Sequence, residues 1–423
     1  MADNDLEGVD LTNLDLFVDG PPHRVYEKLR NEAPLFWHEP TEHTPGGEGF
    51  WCLTRHADVE WAAKNAELFS SASGKCRDGG GTLIEDLPNG FGPGVLLNMQ
   101  DAPRHHHFRR LVTPSLTPKR LRDIEAELAE RCEQILDEAV EAGEVGEVDF
   151  LSAVAAELPL QAIASLLGVP QEDRHQFMEW FDAMLDHGDG RDLGEQSSAS
   201  QAAGTAMFVY GTELLEQKRR CPADDIMSII ATAELPDAAE PGGPLSDLEQ
   251  QMFFNLLLAA GSETTRNTIT AAMLALIERP ESWVRLQQDP SLLPTAVEEM
   301  LRWASSTIYN RRTATADIDL HGHTIRRGDK VVLWWQSANF DERVFTGPHD
   351  FDINRDPNPH LAFGTGSHFC LGATLARLEI RLVFAGLLHR ADRVLAAGQA
   401  VRTRSNKHAG FRSAPITIER PRA

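Results

Sequence analysis

The sequence predicts a mainly α-helical single domain with a small β region. Three observations carry that expectation. Long stretches place apolar residues at helical spacing, the strand candidates are few and short, and those candidates come from both ends of the chain. A sheet shared by the two ends ties residues 1–423 into one unit, with only residues 1–13 expected to be flexible.

The elements follow in chain order. Leu35 to His38 and Phe50 to Thr54 read as strands around the turn-rich TEHTPGGEG. Residues 70–94 collect Gly and Pro and read either as a solvated linker or as a lid over a pocket. Residues 120–142 put Leu121, Ile124, Leu128, Cys132, Ile135, Leu136 and Val140 at helical spacing; 157–168 and 205–220 look similar. Residues 186–204 are polar and small and carry the same two readings, solvated linker or lid. Ile318 to Leu320, Thr324 to Ile325 and Val331 to Leu333 are further strands, with HGH and RRGD as turns.

One helix stands apart. Ser246 followed three residues later by Glu249 is a capping-box pattern, and no proline then appears until Pro280. A helix over 247–279 would be roughly 50 Å long at 1.5 Å per residue, enough to cross the domain. Its centre, FFNLLLAAGSETTRNT, is apolar nearly all round, as a buried helix should be. Gly261, Glu263, Thr264 and Thr265 interrupt it. A mid-helix Gly costs about 1 kcal/mol relative to Ala, and a buried carboxylate costs more unless it is paired or wet. Such a conflict marks either a kink without chemistry or a functional site.

Composition narrows the function. Lys+Arg number 40 against 64 Asp+Glu, a net charge of −24, so the chain as a whole repels nucleic acid and anionic lipid. The 42% hydrophobic content excludes wholesale disorder. Cys52, Cys76, Cys132, Cys221 and Cys370 are odd in number, widely spaced and without CxxC, which excludes a disulfide framework or zinc ribbon. The acidic, polar start MADNDLEGVD is no signal peptide, and no apolar run of about 18 residues offers a membrane anchor. The expectation is a soluble cytoplasmic protein.

Chemistry concentrates at Cys370. Phe363-Gly364-x-Gly366-x-His368-x-Cys370-Leu371-Gly372 is a Gly-rich loop, a single Cys and then a helix. Glycines permit a tight turn and let backbone N–H groups approach a sulfur; the helix start favours a thiolate. A core cysteine is the plain alternative and the default for the other four. A thiol hydrolase would need His368 folded back as base, and zinc would need ligands that are not nearby.

This loop resembles the haem-binding loop of the cytochrome P450 monooxygenases. Three glycines at fixed positions occur by chance about once in 3,000 windows at ordinary Gly usage, and Phe363, His368 and Cys370 make chance far rarer. Glu299-Met300-Leu301-Arg302 is similar to the family's Glu-x-x-Arg helix. Phe351-Asp352-Ile353-Asn354-Arg355 is similar to the segment whose Arg joins it. Ala260-Gly261-Ser262-Glu263-Thr264 is similar to the oxygen-activating helix. The resemblance runs from about Leu14 to Ile418. It implies a cytochrome P450 fold with haem b between the long central helix and the Cys-loop helix, and Cys370 as axial iron ligand. It implies that His105, Arg109, Arg312 and His368 hold the propionates, with Arg311 a competitor for Arg312. His105 and Arg109 lie at i, i+4 on one face, whereas the run His105, His106, His107 splays around a helix and suits no metal. Glu299, Arg302 and Arg355 would form a buried structural network. Thr264 and Glu263 would deliver protons to dioxygen, with a local helix opening at Gly261. Leu257, Ala260, Gly261, Thr307, Ile308 and Tyr309 would line the substrate pocket.

No Rossmann, flavin or four-Cys iron–sulfur pattern is present, so NAD(P)H electrons must arrive through a separate redox partner, a ferredoxin with its reductase. Residues 101–122 carry Arg104, Arg109, Arg110, Lys119, Arg120 and Arg122 against Asp101, a basic patch suited to an acidic carrier. ELPLQAIASLLGVPQEDR, GSETTRNTIT and SANFDERVF resemble actinobacterial hydroxylases of sterols and methyl-branched lipids. The expected substrate is therefore a hydrophobic sterol-, terpenoid- or lipid-like molecule. Ser305 to Asn310, with Tyr309, is polar for such a pocket and keeps tailoring of a more polar secondary metabolite as an alternative. A non-catalytic haem-thiolate protein would keep Cys370 without needing Thr264 and Glu263.

Overall fold

Helical spacing becomes helix where it was expected. In the computed structural model, which describes residue 6, residues 8–185 and residues 195–420, helices hold about 52% of the chain. The helices that position the site are α1 (Arg104–Val112), α2 (Pro118–Val145), α3 (Glu157–Leu167), α4 (Arg174–Leu185), α5 (Ser198–Arg220), α6 (Asp247–Ile277), α7 (Leu293–Ala304) and α8 (Ala373–Arg390). Thr117 caps α2 through the Arg120 N–H, and Pro118 sits at the first turn, where its missing N–H costs nothing. The stripe Leu121, Leu128, Cys132, Leu136 and Val140 is buried. Gly168 ends α3 in the left-handed conformation, at φ 69°.

The long helix forms as the capping box indicated. Ser246 accepts from the Glu249 N–H, and the Glu249 carboxylate accepts from the Ser246 N–H at 2.9 Å. α6 is buried on nearly every side, packed by α3, α5, α7 and α8. No helix among the described residues is long and apolar enough to cross a membrane.

The small sheet joins both ends of the chain. Its strands are β1 (Leu35–His38), β2 (Phe50–Leu53), β3 (Phe69–Ser70), β4 (Tyr309–Ala314) and β5 (Lys330–Trp334), in the order β1-β2-β5-β4-β3. β2 and β5 are parallel, and the other pairs are antiparallel. Near the C-terminus, β6 (Val401–Arg402) and β7 (Phe411–Ser413) make a hairpin.

Four expectations change. Within the N-terminal stretch expected to be flexible, residues 10–13 are packed: Leu11 is buried, and its N–H donates to His38 Nε2 at 3.0 Å. Residues 70–94 are neither solvated linker nor loose lid. Arg77 reaches Glu48 and Asp86, both at 2.6 Å, and Lys330 meets the same two carboxylates at 3.0 and 3.1 Å. Arg311 pairs with Asp86 at 2.9 Å, and Ile84 is buried, so charge and packing hold the segment as a wall. Of the second loop, 198–204 is the start of α5, which Ser197 caps; 186–194 lies outside the described residues. Finally, Cys52 and Cys132 are core residues as expected, but Cys76 is half-buried and Cys221 exposed.

Candidate active site

The Cys370 loop is built by its glycines. Gly364 and Gly366 have φ of 65° and 73°, and a Cβ on Gly366 would lie 2.6 Å from the Ala63 carbonyl oxygen. The Cys370 N–H donates to the Phe363 carbonyl at 2.9 Å, and Arg377 of α8 lies 4.6 Å over the Phe363 ring. Cys370 is left accessible just before α8 begins. Burial pushes the thiol's pKa up, against the Gly372 N–H and the Arg109 and Arg377 charges, which favour the anion.

Four hydrogen-bond donors, two arginines and two histidines, gather beside it. α1 turns His105 inward and shares that face with Arg109. His105 stacks on His368 with ring centroids 4.0 Å apart, and His368 Nε2 lies 3.0 Å from Ser71 Oγ. Strand alternation separates the two candidate arginines: Arg311 turns to Asp86, while Arg312 joins the cluster, its Nη1 donating to the Arg311 carbonyl at 2.9 Å. Each group is pushed toward its neutral form. Burial and then Arg109 lower the His105 pKa to about 4. Burial and then Arg312 take His368 well below the usual imidazole range. Burial also lowers Arg109, and Arg312 to about 10. Neither Arg109 nor Arg312 forms an ion pair with a carboxylate among the described residues. Two arginines without a carboxylate partner among the described residues, with two imidazoles beside them, fit a dianionic group, so these four residues would suit the two propionates of a haem held by Cys370. The histidine run holds no group of three metal ligands among the described residues.

On α6, accessibility marks one face. Ala260 is exposed in the middle of an otherwise buried helix, and Leu257 and Thr264 on the same stripe are half-buried. Thr264 Oγ1 donates to the Ala260 carbonyl at 2.9 Å. Glu263 is buried on the adjoining face. Three pocket expectations need correction. α6 runs unbroken through Gly261, and a Cβ there would lie 2.8 Å from the Ile163 side chain. Gly261 therefore serves close packing against α3, not a helix opening. Ile308 and Tyr309 are buried in a core cluster with Phe17, Tyr26 and Trp334. The Tyr309 hydroxyl accepts from the Ile84 N–H at 3.3 Å, and its ring lies 5.2 Å from Trp334. Thr307 stays half-buried, bridged to His408.

The structural network is complete. Glu299 and Arg302 are fully buried, joined in a two-pronged pair at 2.7 Å for each prong. Arg355 Nε reaches Glu299 at 3.0 Å, and the Asp352 N–H adds a bond at 2.9 Å. Both guanidinium groups spend their other donors on carbonyls, including Asn339, Pro348 and Thr346. Every charge is thus answered, as burial requires.

Sequence reasoning missed several supports. Glu298, next to the network, binds Arg377 at 2.6 and 2.8 Å and His360 at 3.1 Å, tying α7 to α8. Glu379 of α8 bonds Thr265 of α6, and burial raises its pKa to about 8. Ser71 on His368 was hidden in a loop without a pattern. The basic patch is also thinner than its sequence: Arg104 pairs with Glu249, Arg120 pairs with Asp224 at 2.5 Å, and Arg109 points inward. Arg110, Lys119 and Arg122 remain exposed.

This fold, with one cysteine beneath a cationic cluster and a long helix opposite, defines a haem-thiolate oxygenase. Residues 77–419 match the cytochrome P450 family, and the chain belongs to it. It is 46% identical over 413 residues to cytochrome P450 126 of Mycobacterium tuberculosis, covering 98% of each chain. It is 38% identical to the steroid C26-monooxygenase of Rhodococcus jostii (94% of this chain, 82% of the relative) and to the methyl-branched lipid omega-hydroxylase of M. tuberculosis (99% and 95%). The solved structure of Mycobacterium marinum cytochrome P450 CYP268A2 with pseudoionone superposes with a TM-score of 0.87 at 34% identity, covering 99% of this chain and 100% of that one. The family uses haem b, dioxygen and NAD(P)H-derived electrons delivered through partners.

Proposed function

We propose that this chain, as one catalytic domain over residues 1–423, inserts one oxygen atom from dioxygen into an aliphatic carbon of a branched, apolar molecule of sterol, terpenoid or lipid type. Haem, when bound, supplies the oxidising chemistry. Cys370 Sγ holds the iron, and His105, Arg109, Arg312 and His368 hold the propionates. Thr264 Oγ1 keeps a proton on the accessible face of α6, and the Glu263 carboxyl one residue away replaces it. A separate ferredoxin and reductase bring electrons, and five unpaired cysteines suit a reducing, cytoplasmic home.

One observation carries the substrate reading. The polar residue that spoke against an apolar pocket, Tyr309, is fully buried with its hydroxyl on the Ile84 N–H, while Leu257 and Ala260 remain accessible on α6, which supports an apolar lining. The named activities of two relatives, at steroid C26 and at the omega end of a methyl-branched lipid, both concern chain ends. The test is titration of the ferric holoenzyme with a side-chain-bearing sterol, pseudoionone, a methyl-branched fatty acid and a polyhydroxylated macrolide. Apolar ligands should give the high-spin absorption shift, followed by a hydroxylated product with a ferredoxin system. A shift with the macrolide alone would transfer the assignment to tailoring of a polar metabolite.

A further inference from the structure

Glu263 is enclosed: its side chain is 7% accessible, and no hydrogen bond to its carboxylate is made among the described residues. A residue that gives up protons must regain them, and the accessible face of α6 would be covered by substrate. Among the described residues, the ionisable side chain paired with the Glu263 carboxylate is His408, whose Nδ1 lies 3.9 Å from Oε2.

His408 sits at the tip of the β6–β7 hairpin, and the tip is firmly placed. The Ala409 N–H donates to the Ser306 carbonyl at 2.9 Å, and the His408 N–H to Ser405 Oγ at 3.2 Å. The Phe411 N–H reaches Asn267 Oδ1 at 3.4 Å. Asn267 is one turn beyond Glu263 on α6, so the helix face that carries the acid also docks the hairpin.

Behind His408 lies a small cavity of about 10 Å³, room for about one water. Its lining runs from half-buried Gly20, Pro21 and Arg402 to Thr403, Gln336 and His408. Two of these residues bring buried polar atoms without a protein partner, Gln336 at both amide atoms and Thr403 at Oγ1, and the His408 Nδ1 that faces Glu263 is also without one. Native interiors rarely leave such atoms unmet, and a polar, water-sized cavity is where they are met by solvent.

We propose that His408 is the positioning residue for Glu263 and the inner end of a proton inlet that begins beside Gly20 and Arg402. The inference rests on the reading of Glu263 as proton source. One ring nitrogen takes a proton from the inlet while the other gives one to Glu263 Oε2, which leaves the imidazole neutral in its other tautomer. The 3.9 Å gap is too long for a hydrogen bond and closes by side-chain rotation or through one water. The charges facing His408 are Glu263 and Arg266 from α6 and its neighbour Lys407, with Arg402 across the cavity. Burial lowers the His408 pKa and Glu263 opposes it, so the ring is neutral and able to relay near pH 7.

The test uses the holoenzyme with two readouts. One is the solvent deuterium isotope effect on NAD(P)H oxidation through the ferredoxin system. The other is the pH midpoint of the carbon monoxide stretching band of the ferrous–carbonyl form. His408→Phe and Gln336→Leu, each retaining the native carbonyl spectrum, should raise the isotope effect roughly twofold or more. His408→Phe should also move the infrared midpoint by about one pH unit, whereas Gln336→Leu, which lines the cavity but makes no hydrogen bond to Glu263 among the described residues, should leave it in place. If His408→Phe fails to hold haem, Gln336→Leu decides the question through its isotope effect. An unchanged isotope effect in the haem-loaded variants, or a rise in His408→Phe alone, overturns the inlet. Glu263→Gln separates the two claims: if it raises the isotope effect while the others do not, only the inlet falls. If it too is silent, the proton role of Glu263 falls as well.

Discussion

At the residue scale, the site depends on side chains whose surroundings leave them one use. Arg312 is buried and, among the described residues, forms no ion pair with a carboxylate and makes one side-chain bond, to a carbonyl. Removing a charge-assisted bond to a propionate costs about 1.5–3 kcal/mol, so Arg312→Ala should speed haem transfer to apomyoglobin by roughly 10- to 100-fold. Arg311→Ala should leave haem transfer unchanged and loosen the 70–94 wall through Asp86 instead. Thr264 presents the hydroxyl on the accessible face of α6. Thr264→Ala should bind haem and consume NAD(P)H, yet release most of its reducing equivalents as peroxide. Measured product equal to NAD(P)H consumed in that variant would end the proton role. These residues were legible because chemistry needs their types at set spacings. Ser71, Gln336 and His408 were not, since each acts through contacts made by segments far apart in the chain.

At the element scale, α7 and α8 are held together by charge. Burial alone would raise the Glu298 pKa, but bonds from Arg377 and His360 outweigh it and bring the carboxyl from the usual 4.5 to about 2. A depressed carboxyl stabilises the fold fully above its unfolded value and loses that contribution as pH falls from 4.5 toward 2. At face value this is about 3 kcal/mol, and solvent screening of a partly exposed carboxylate reduces it to about 1–2 kcal/mol. Glu298→Gln should therefore lower the unfolding free energy by about 1–2 kcal/mol at pH 7, with a smaller difference at pH 3, as urea titrations can measure. A difference independent of pH would assign the loss to packing. Element type was readable where period and caps agreed, as in α2 and α6. The Gly-rich 70–94 segment misled because its order comes from Glu48, Lys330 and Arg311, residues outside the segment. Gly261 misled because a glycine that admits Ile163 looks, in sequence, like one that opens a helix.

At the scale of the whole molecule, an acidic chain carries a small cationic surface near its cysteine loop. The sequence suggested six cations there; pairing and burial leave Arg110, Lys119 and Arg122 exposed. Exposed charges act mainly on association rate, and salt screens them over about 10 Å at 0.1 M. Arg110→Glu with Arg122→Glu should slow reduction by a ferredoxin most at low salt, while turnover driven by added peroxide stays nearly unchanged. Equal losses in both assays would place the damage at the haem site. All of this presumes a thiolate-ligated haem held by one cysteine. The most direct measurement is the carbon monoxide difference spectrum of the reduced protein, taken for the native chain, Cys370→Ser and Cys132→Ser. The native chain and Cys132→Ser should show the strongly red-shifted Soret band of thiolate-ligated haem, and Cys370→Ser should lack it. A native protein without that band, or a Cys370→Ser variant that keeps it, would contradict the account.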